Sequence, residues 1–96
     1  MLHTLSCSPF GCSRWEHLLA SIVPSDGVLL FQNGVVAGLQ NSLPAKQLLG
    51  TGVTVYAVIA DISARGLTQN MDQRIRRIDY SEFVALTVVY TPQWAW

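Results

Sequence analysis

The chain has 96 residues, of which 50% are hydrophobic and 12% are charged, and its acidic and basic side chains cancel to a formal charge of zero. A typical soluble domain carries about 25% charged residues. Neutrality excludes a stand-alone nucleic-acid-binding protein, which needs a basic surface to displace counterions from phosphates. A charge-poor surface is expected to expose apolar patches, which usually contact another protein. We therefore expect a single domain over residues 1–96 that works as a subunit of an assembly.

The sequence also bears on the cellular compartment. It has no run of about 18 apolar residues, the length that a membrane-spanning helix needs. Its N-terminus lacks the basic start and apolar core of a signal peptide. We expect a cytoplasmic protein without a membrane partner, and no structural disulfide, because cytoplasmic thiols stay reduced.

The first third of the chain predicts two strands separated by a helix. The segment 1–5, "MLHTL", reads as a short apolar strand. Ser13 and Glu16 have the spacing of a capping box at a helix start, and Pro24 would end that helix. The continuous apolar run "VLLF" at 28–31 is typical of a strand covered on both faces.

The middle of the chain predicts turns, a short helix and the clearest strand. The dipeptide Asn33-Gly34 fits either a hairpin turn or a turn into a short helix. A helical piece is expected from Pro44 to Leu49. The segment "VTVYAV" at 53–58 is β-branched and aromatic, which favours a strand.

The last third predicts two further helices and one strand. Asp61 would cap a short helix that ends at Gly66. A strand is expected in "IRRID", residues 75–79, and Asp79 with Glu82 predicts a capping box for the final helix. Strands thus alternate with helices, which predicts a small α/β domain whose mostly parallel sheet is flanked by helices through right-handed crossovers.

The densest basic stretch contains Arg74, Arg76 and Arg77. Charge on an edge strand keeps a sheet from pairing with other chains, which is one interpretation of these residues. Contact with an acidic partner or a phosphate is the other.

The two cysteines, Cys7 and Cys12, are separated by four residues, whereas disulfide-exchange enzymes use a Cys-x-x-Cys motif. Cys12 precedes the first predicted helix, and the partial positive charge at the N-terminus of that helix would favour a thiolate. Cys12 is therefore a weak candidate for carrying a persulfide, and Cys7 is a weaker one. Both also fit the role of small buried apolar residues. His3 and His17 complete a set of four possible zinc ligands, but their order and spacing do not match known sites, and we expect no metal and no cofactor.

The C-terminal segment "TPQWAW" carries Trp94 and Trp96 beyond the last predicted helix. Large aromatic side chains in a tail must pack somewhere. They either fold back on their own chain or enter a partner interface, where tryptophan is enriched.

Six segments carry a resemblance to a known family. They are "MLHTL", "SPF", "VLLFQNGV", "VYAVIADISARGL", "IDYSEFVALTV" and "QWAW". In this order, and with similar spacing from Met1 to Trp96, they resemble the TusB/DsrH family of tRNA 2-thiouridine synthesizing proteins.

The resemblance implies a DsrEFH-like α/β fold and a non-catalytic, structural role. Its members assemble with TusC- and TusD-like subunits into a heterohexamer. That sulfurtransferase complex relays persulfide sulfur, through a TusE-like acceptor, toward 2-thiolation of the wobble uridine of tRNA. The resemblance also implies that the relay cysteine lies on the TusD-like subunit, and no direct contact of this chain alone with nucleic acid is expected.

Two other functions stay open. DsrH relatives carry a sulfur-binding cysteine on the first helix, and the corresponding position here is near Leu18, which neither Cys7 nor Cys12 matches. A persulfide carrier that uses its own cysteine is therefore one alternative. A small metal-binding regulator is the other.

Overall fold

The sheet is formed by five strands that all run parallel, in the order β4-β3-β2-β1-β5. The computed structural model describes residues 1–11 and 13–96. The strands are β1 (Leu2–Leu5), β2 (Gly27–Leu30), β3 (Thr54–Val58), β4 (Arg76–Ile78) and β5 (Gln93–Ala95). The four strands predicted from the sequence are confirmed, whereas β5 lies in the segment for which no strand was expected.

The helices connect consecutive strands. They are α1 (Trp15–Ser21), a 3-10 helix (Gln32–Gly38), α2 (Leu43–Gly50), α3 (Ile59–Ala64) and α4 (Tyr80–Val89). The predicted α/β class and the single small domain are thereby confirmed, and the Asn33-Gly34 dipeptide lies in a short helix, not in a hairpin. Within the described ranges, no helix combines the length and apolar character needed to cross a bilayer.

The handedness of the crossovers decides which helix covers which face. The chain moves in one direction from β1 to β4, and right-handed connections then place every intervening helix on the same face. The step from β4 to β5 goes back across the sheet to the far side of β1, so α4 lies on the opposite face. The first face is thus covered by several short helices, and the second by α4.

Two core clusters correspond to these faces. The larger unites alternate strand residues with α1, α2, α3 and the 3-10 helix, and its members include Leu5, Leu18, Leu30, Val35, Leu48, Val55 and Ile62. The smaller consists of Leu2, Leu29, Tyr56, Val58 and Ile78, against which Phe83, Leu86 and Tyr90 pack from α4. Residues paired in register share a face of the sheet, which explains the division.

The caps of the helices are partly as expected. Asp79 and Glu82 form the predicted capping box at the start of α4. The box predicted for Ser13 and Glu16 is wrong, because α1 begins only at Trp15 and has no side-chain cap. Arg14 occupies the N-cap position instead of Ser13, so the three-residue spacing from Ser13 to Glu16 does not fall on the helix start.

Asp61 does not cap α3, contrary to the prediction. The helix begins at Ile59, and no side chain caps it. The Asp61 carboxylate instead accepts hydrogen bonds from the backbone N–H of Gln32 at 2.9 Å and the hydroxyl of Tyr80 at 3.4 Å. These residues follow β2, β3 and β4, so the carboxylate joins the carboxyl ends of three adjacent strands.

The edge position of β4 agrees with the first interpretation of the basic stretch. Arg76 and Arg77 lie on β4 and are exposed. Arg74 precedes the strand and donates to Asp72 at 2.9 and 3.1 Å. Arg76 and Arg77 therefore place two charges on the open edge of the sheet, where charge opposes pairing with another strand.

Gly34 supplies a stability prediction, because a Cβ atom there would overlap the carbonyl oxygen of Leu5. We expect Gly34→Ala to lower the free energy of unfolding by about 3 kcal/mol, since this backbone cannot move aside. Gly50 lies in α2 with open space around it. Gly50→Ala should be neutral or stabilise by about 0.5–1 kcal/mol in the same urea titration. Equal effects of the two substitutions would contradict the close approach of the 3-10 helix to β1.

Candidate functional site

The two C-terminal tryptophans lie at the β5 edge of the sheet. In the register of β5 with β1, Trp94 is opposite His3. The Trp94 and Trp96 rings have centroids 6.1 Å apart, and both line a cavity of about 230 Å³ with Met1, His3 and Ser21. The indoles thus lie at the edge strand, next to the last residue of α1, Ser21.

The two tryptophans differ in how tightly they pack. Trp96 is half-buried against the larger core cluster, and its backbone N–H donates to the carbonyl of Thr4 at 2.8 Å. Trp94 is 53% exposed. Folding back on the same chain is thus observed for Trp96, whereas a role of either residue in a partner interface stays a prediction.

His3 is the buried polar residue at the base of this cavity. Its Nε2 lies 2.9 Å from Asp26 Oδ2, and the Trp96 indole N–H donates to its Nδ1 at 3.1 Å. An indole N–H can only donate, so Nδ1 must be the acceptor and Nε2 must carry the hydrogen that goes to Asp26. The contacts therefore specify one neutral tautomer of His3.

Asp26 holds this arrangement together from the turn before β2. Its carboxylate accepts hydrogen bonds from His3, from the backbone N–H of Val23 at 3.2 Å and from the amino group of Met1 at 3.1 Å. Burial alone would raise the pKa of Asp26, but the hydrogen bonds from these three donors outweigh it and hold the pKa below its ordinary value. The carboxylate is therefore charged at neutral pH.

Sequence reasoning missed Asp26. It lies in the "PSDG" turn, where aspartate is common for local reasons. His3 is 23 residues away along the chain, and the parallel pairing of β1 with β2 brings the two together. The signal that was available is a histidine on an apolar strand, which needs a buried polar partner.

Of the two cysteines, the structure describes Cys7. Cys7 is half-buried, packs against the larger core cluster and is disulfide-bonded, so the expectation of no structural disulfide is wrong for this residue. A disulfide sulfur is not the thiolate that a persulfide carrier needs. Cys12, the other candidate, lies outside the described residues. Leu18, near which the resemblance places the sulfur-binding position of DsrH relatives, is completely buried in the core.

The proposed zinc ligands do not come together in the described part of the chain. Within residues 1–11 and 13–96, no three histidine, cysteine or acidic residues are grouped as metal ligands. Both nitrogens of His3 already have partners, and His17 is exposed on α1. Cys12 cannot be placed in this comparison.

Asp26 generates a pH prediction. Its pKa is lower in the folded chain than in the unfolded one, so its contribution to stability is present above the ordinary carboxyl range near pH 4 and is lost as the pH falls through the lowered value. Asp26→Asn should lower the free energy of unfolding at pH 7 by about 1–3 kcal/mol. It should also reduce the loss of unfolding free energy in acid, and urea unfolding at a series of pH values measures this dependence.

The exposed carboxylate of Glu16 provides the matched control. Glu16→Gln should leave both the stability at pH 7 and its acid dependence close to those of the unmodified chain. An Asp26→Asn variant with an unchanged acid profile would contradict the structural role of Asp26.

Comparison with known proteins places these features in a family. A family model described as DsrH like protein matches residues 7–93. The proteins TusB of Pectobacterium atrosepticum and Escherichia coli are 42% and 41% identical to this chain over 96 residues, and the alignments cover 100% of both sequences. TusB of Cronobacter sakazakii is 44% identical over 100 residues, again with full coverage of both.

Solved structures share the fold. Protein Tm0979 from Thermotoga maritima, solved by NMR, is 27% identical and superposes with a TM-score of 0.67 over 93% of each chain. The crystal structure of the ychN protein from E. coli superposes with a TM-score of 0.76 over 99% of this chain and 97% of that one. At 14% identity, the second likeness shows the fold alone. With a family match over nearly its whole length and relatives above 40% identity, the chain belongs to the DsrH family.

Proposed function

We propose that this chain is a non-catalytic, structural subunit of a TusBCD-type sulfur-relay complex that is required for 2-thiolation of the wobble uridine in tRNA. The observation that carries the proposal is the similarity over the full length to proteins named TusB from several bacteria. The partners are TusC- and TusD-like subunits in a heterohexamer, and a TusE-like acceptor takes part through the complex. The relay cysteine belongs to the TusD-like subunit, and a tRNA-modifying complex of this kind works in the cytoplasm.

The outer face of α4 supports a role in assembly. None of the ten residues of α4 is fully buried, although most of them are apolar. Val84, Val88 and Val89 are 65%, 77% and 74% exposed. A helix that is apolar on all sides is normally covered on all sides. In the proposed complex, a TusC- or TusD-like subunit covers the side of α4 that faces away from the sheet.

The exposed indole of Trp94 supports a second contact. Tryptophan is enriched among the residues that carry most of the binding energy at protein interfaces. Trp94 lies on the sheet face opposite α4, because it shares its register position with His3. Contacts on both faces would place this chain between neighbouring subunits.

The α4 contact is tested by introducing a charge. Val84→Glu should leave the isolated fold intact, because the side chain is exposed, and should weaken co-purification with the TusC- and TusD-like subunits at least tenfold, since a carboxylate would be buried without a partner. Leu43→Glu is the matched control, since Leu43 is 67% exposed and begins α2, which packs on the other face, away from β5. Unchanged assembly of Val84→Glu would contradict the contact.

Two further variants distinguish the role of Trp94 in assembly from the role of Trp96 in stability. Trp94→Ala should weaken assembly and leave the stability of the isolated chain nearly unchanged, because its ring is exposed. Trp96→Ala should lower stability as well, because it removes the hydrogen bond to His3. Sedimentation of the co-expressed complex and urea unfolding of the single chain measure the two effects. A Trp94→Ala complex that sediments like the unmodified one would count against Trp94 as an interface residue.

The non-catalytic role is tested by removing both thiols. Replacing Cys7 and Cys12 with serine should leave the 2-thiouridine content of tRNA unchanged, whereas deleting the whole chain should abolish it. Nucleoside mass spectrometry of tRNA measures both. Loss of thiolation with the serine variant still assembled would favour a carrier role for one of these cysteines, and sulfur added to Cys12 after incubation with a cysteine desulfurase would identify it.

A further inference from the structure

The hydrogen bond between Trp96 and His3 links the last strand of the sheet to a buried imidazole. We propose that His3 is a pH-sensitive latch: the neutral imidazole holds Trp96 and β5 against β1, and protonation of the imidazole releases them. The proposal rests on the contacts of His3 within this chain and is independent of the proposed function.

The direction of the hydrogen bonds provides the physical basis. Neutral His3 accepts from the Trp96 indole with Nδ1 and donates to Asp26 with Nε2. Protonation adds a hydrogen to Nδ1, so two donors then face each other across 3.1 Å. The indole has no acceptor atom with which to adapt. Trp96 must therefore move away when His3 becomes charged.

Asp26 makes the charged form of His3 accessible in the buried site. Its carboxylate stays ionised in the pH range where histidines ordinarily change charge, between pH 5 and 8, because its three hydrogen-bond donors hold its pKa low. The protonated imidazole keeps its bond to this carboxylate as an ion pair. The side of His3 that faces Asp26 is thus stabilised by protonation, while the side that faces Trp96 loses its hydrogen bond.

The charged groups close to His3 are the Asp26 carboxylate and the Met1 amino group, and the His3→Gln variant separates the effect of the imidazole from theirs. From the turn before β2 it meets Asp26, whose other oxygen holds the Met1 amino group. From α1 the cavity receives Ser21, which does not titrate. The side chains of β5 and Trp96 are Gln, Trp, Ala and Trp, none of which is charged.

The segment that would move lies at the edge of the sheet. Strand β5 has three residues, all exposed, and its one neighbour among the described strands is β1. Beyond the indole hydrogen bond, it is held by the packing of Trp96 against the larger core cluster and by the Gln93 side chain, which donates to the carbonyl of Thr87 at 3.3 Å. Backbone bonds from Leu2 N–H to Pro92 at 3.0 Å and from Trp96 N–H to Thr4 at 2.8 Å complete the contacts. Its release would open the 230 Å³ cavity and uncover the edge of β1, while β1 to β4 keep their pairing.

The chain carries its own controls, because its two histidines are His3, which is buried, and His17, which is exposed. His3→Gln keeps one acceptor for Trp96 and one donor for Asp26 but does not titrate. His17→Gln removes the other histidine. The Trp15 indole, which donates to Gln47 at 3.0 Å, reports on pH effects unrelated to His3.

The experiment measures hydrogen exchange of the indole N–H groups by NMR on the full chain between pH 8 and pH 5, with Trp96→Phe used to assign the Trp96 signal. Relative to Trp15, the exchange protection of Trp96 should fall at least tenfold in the unmodified chain and in His17→Gln. It should stay constant in His3→Gln. Equal loss of protection in His3→Gln, no loss in the unmodified chain, or simultaneous loss at Trp15 would overturn the latch.

Imidazole nitrogen chemical shifts of the unmodified chain give a second measurement that needs no variant to fold. At pH 8, Nδ1 of His3 should be the bare nitrogen and Nε2 the protonated one. Protonation of Nδ1 should follow the same pH curve as the loss of Trp96 protection. The opposite tautomer, or a His3 that becomes charged while Trp96 stays protected, would contradict the proposal.

Discussion

The right-handed crossover is the constraint on which the rest of this structure depends. It places the connections among the first four strands on one face and leaves α4 alone on the other. Because β5 pairs with the far side of β1, the crossover from β4 runs back across the sheet, and the rule then places α4 on the second face. The positions of two exposed apolar features, the outer side of α4 and the Trp94 indole, are consequences of this routing.

Local signals in the sequence were sufficient for most of the fold. Apolar strand segments, the Asp79 capping box and the Gly66 helix end each act over a few residues, and the structure agrees with them. Strand β5 could not be found this way, because it has three exposed residues and no apolar alternation. Its position depends on pairing with β1, some 90 residues earlier in the chain. The Ser13 cap failed because Arg14, one residue later, occupies the N-cap position of α1.

The sequence predicted that individual residues of the candidate site need packing or polar partners, but it did not predict which residues contact each other. Tryptophans beyond the last helix had to pack, and a histidine on an apolar strand had to find a polar partner, as both did. What the sequence lacks is the register that brings Asp26 and Trp96 to the two nitrogens of one imidazole. That register follows from the pairing of β1 with both β2 and β5, which are long-range contacts.

Most acidic side chains of this chain form hydrogen bonds or ion pairs within the fold, and this explains why the surfaces of α4 and β5 carry few charges. Asp26 fixes His3, and Asp61 joins three strand ends. Asp72 binds Arg74, while Asp79 and Glu82 form a helix cap. Five of the six acidic residues are thus engaged in the fold itself. Few charges are left to hydrate α4 or the β5 edge, so these surfaces are better suited to burial against other protein chains than to contact with water.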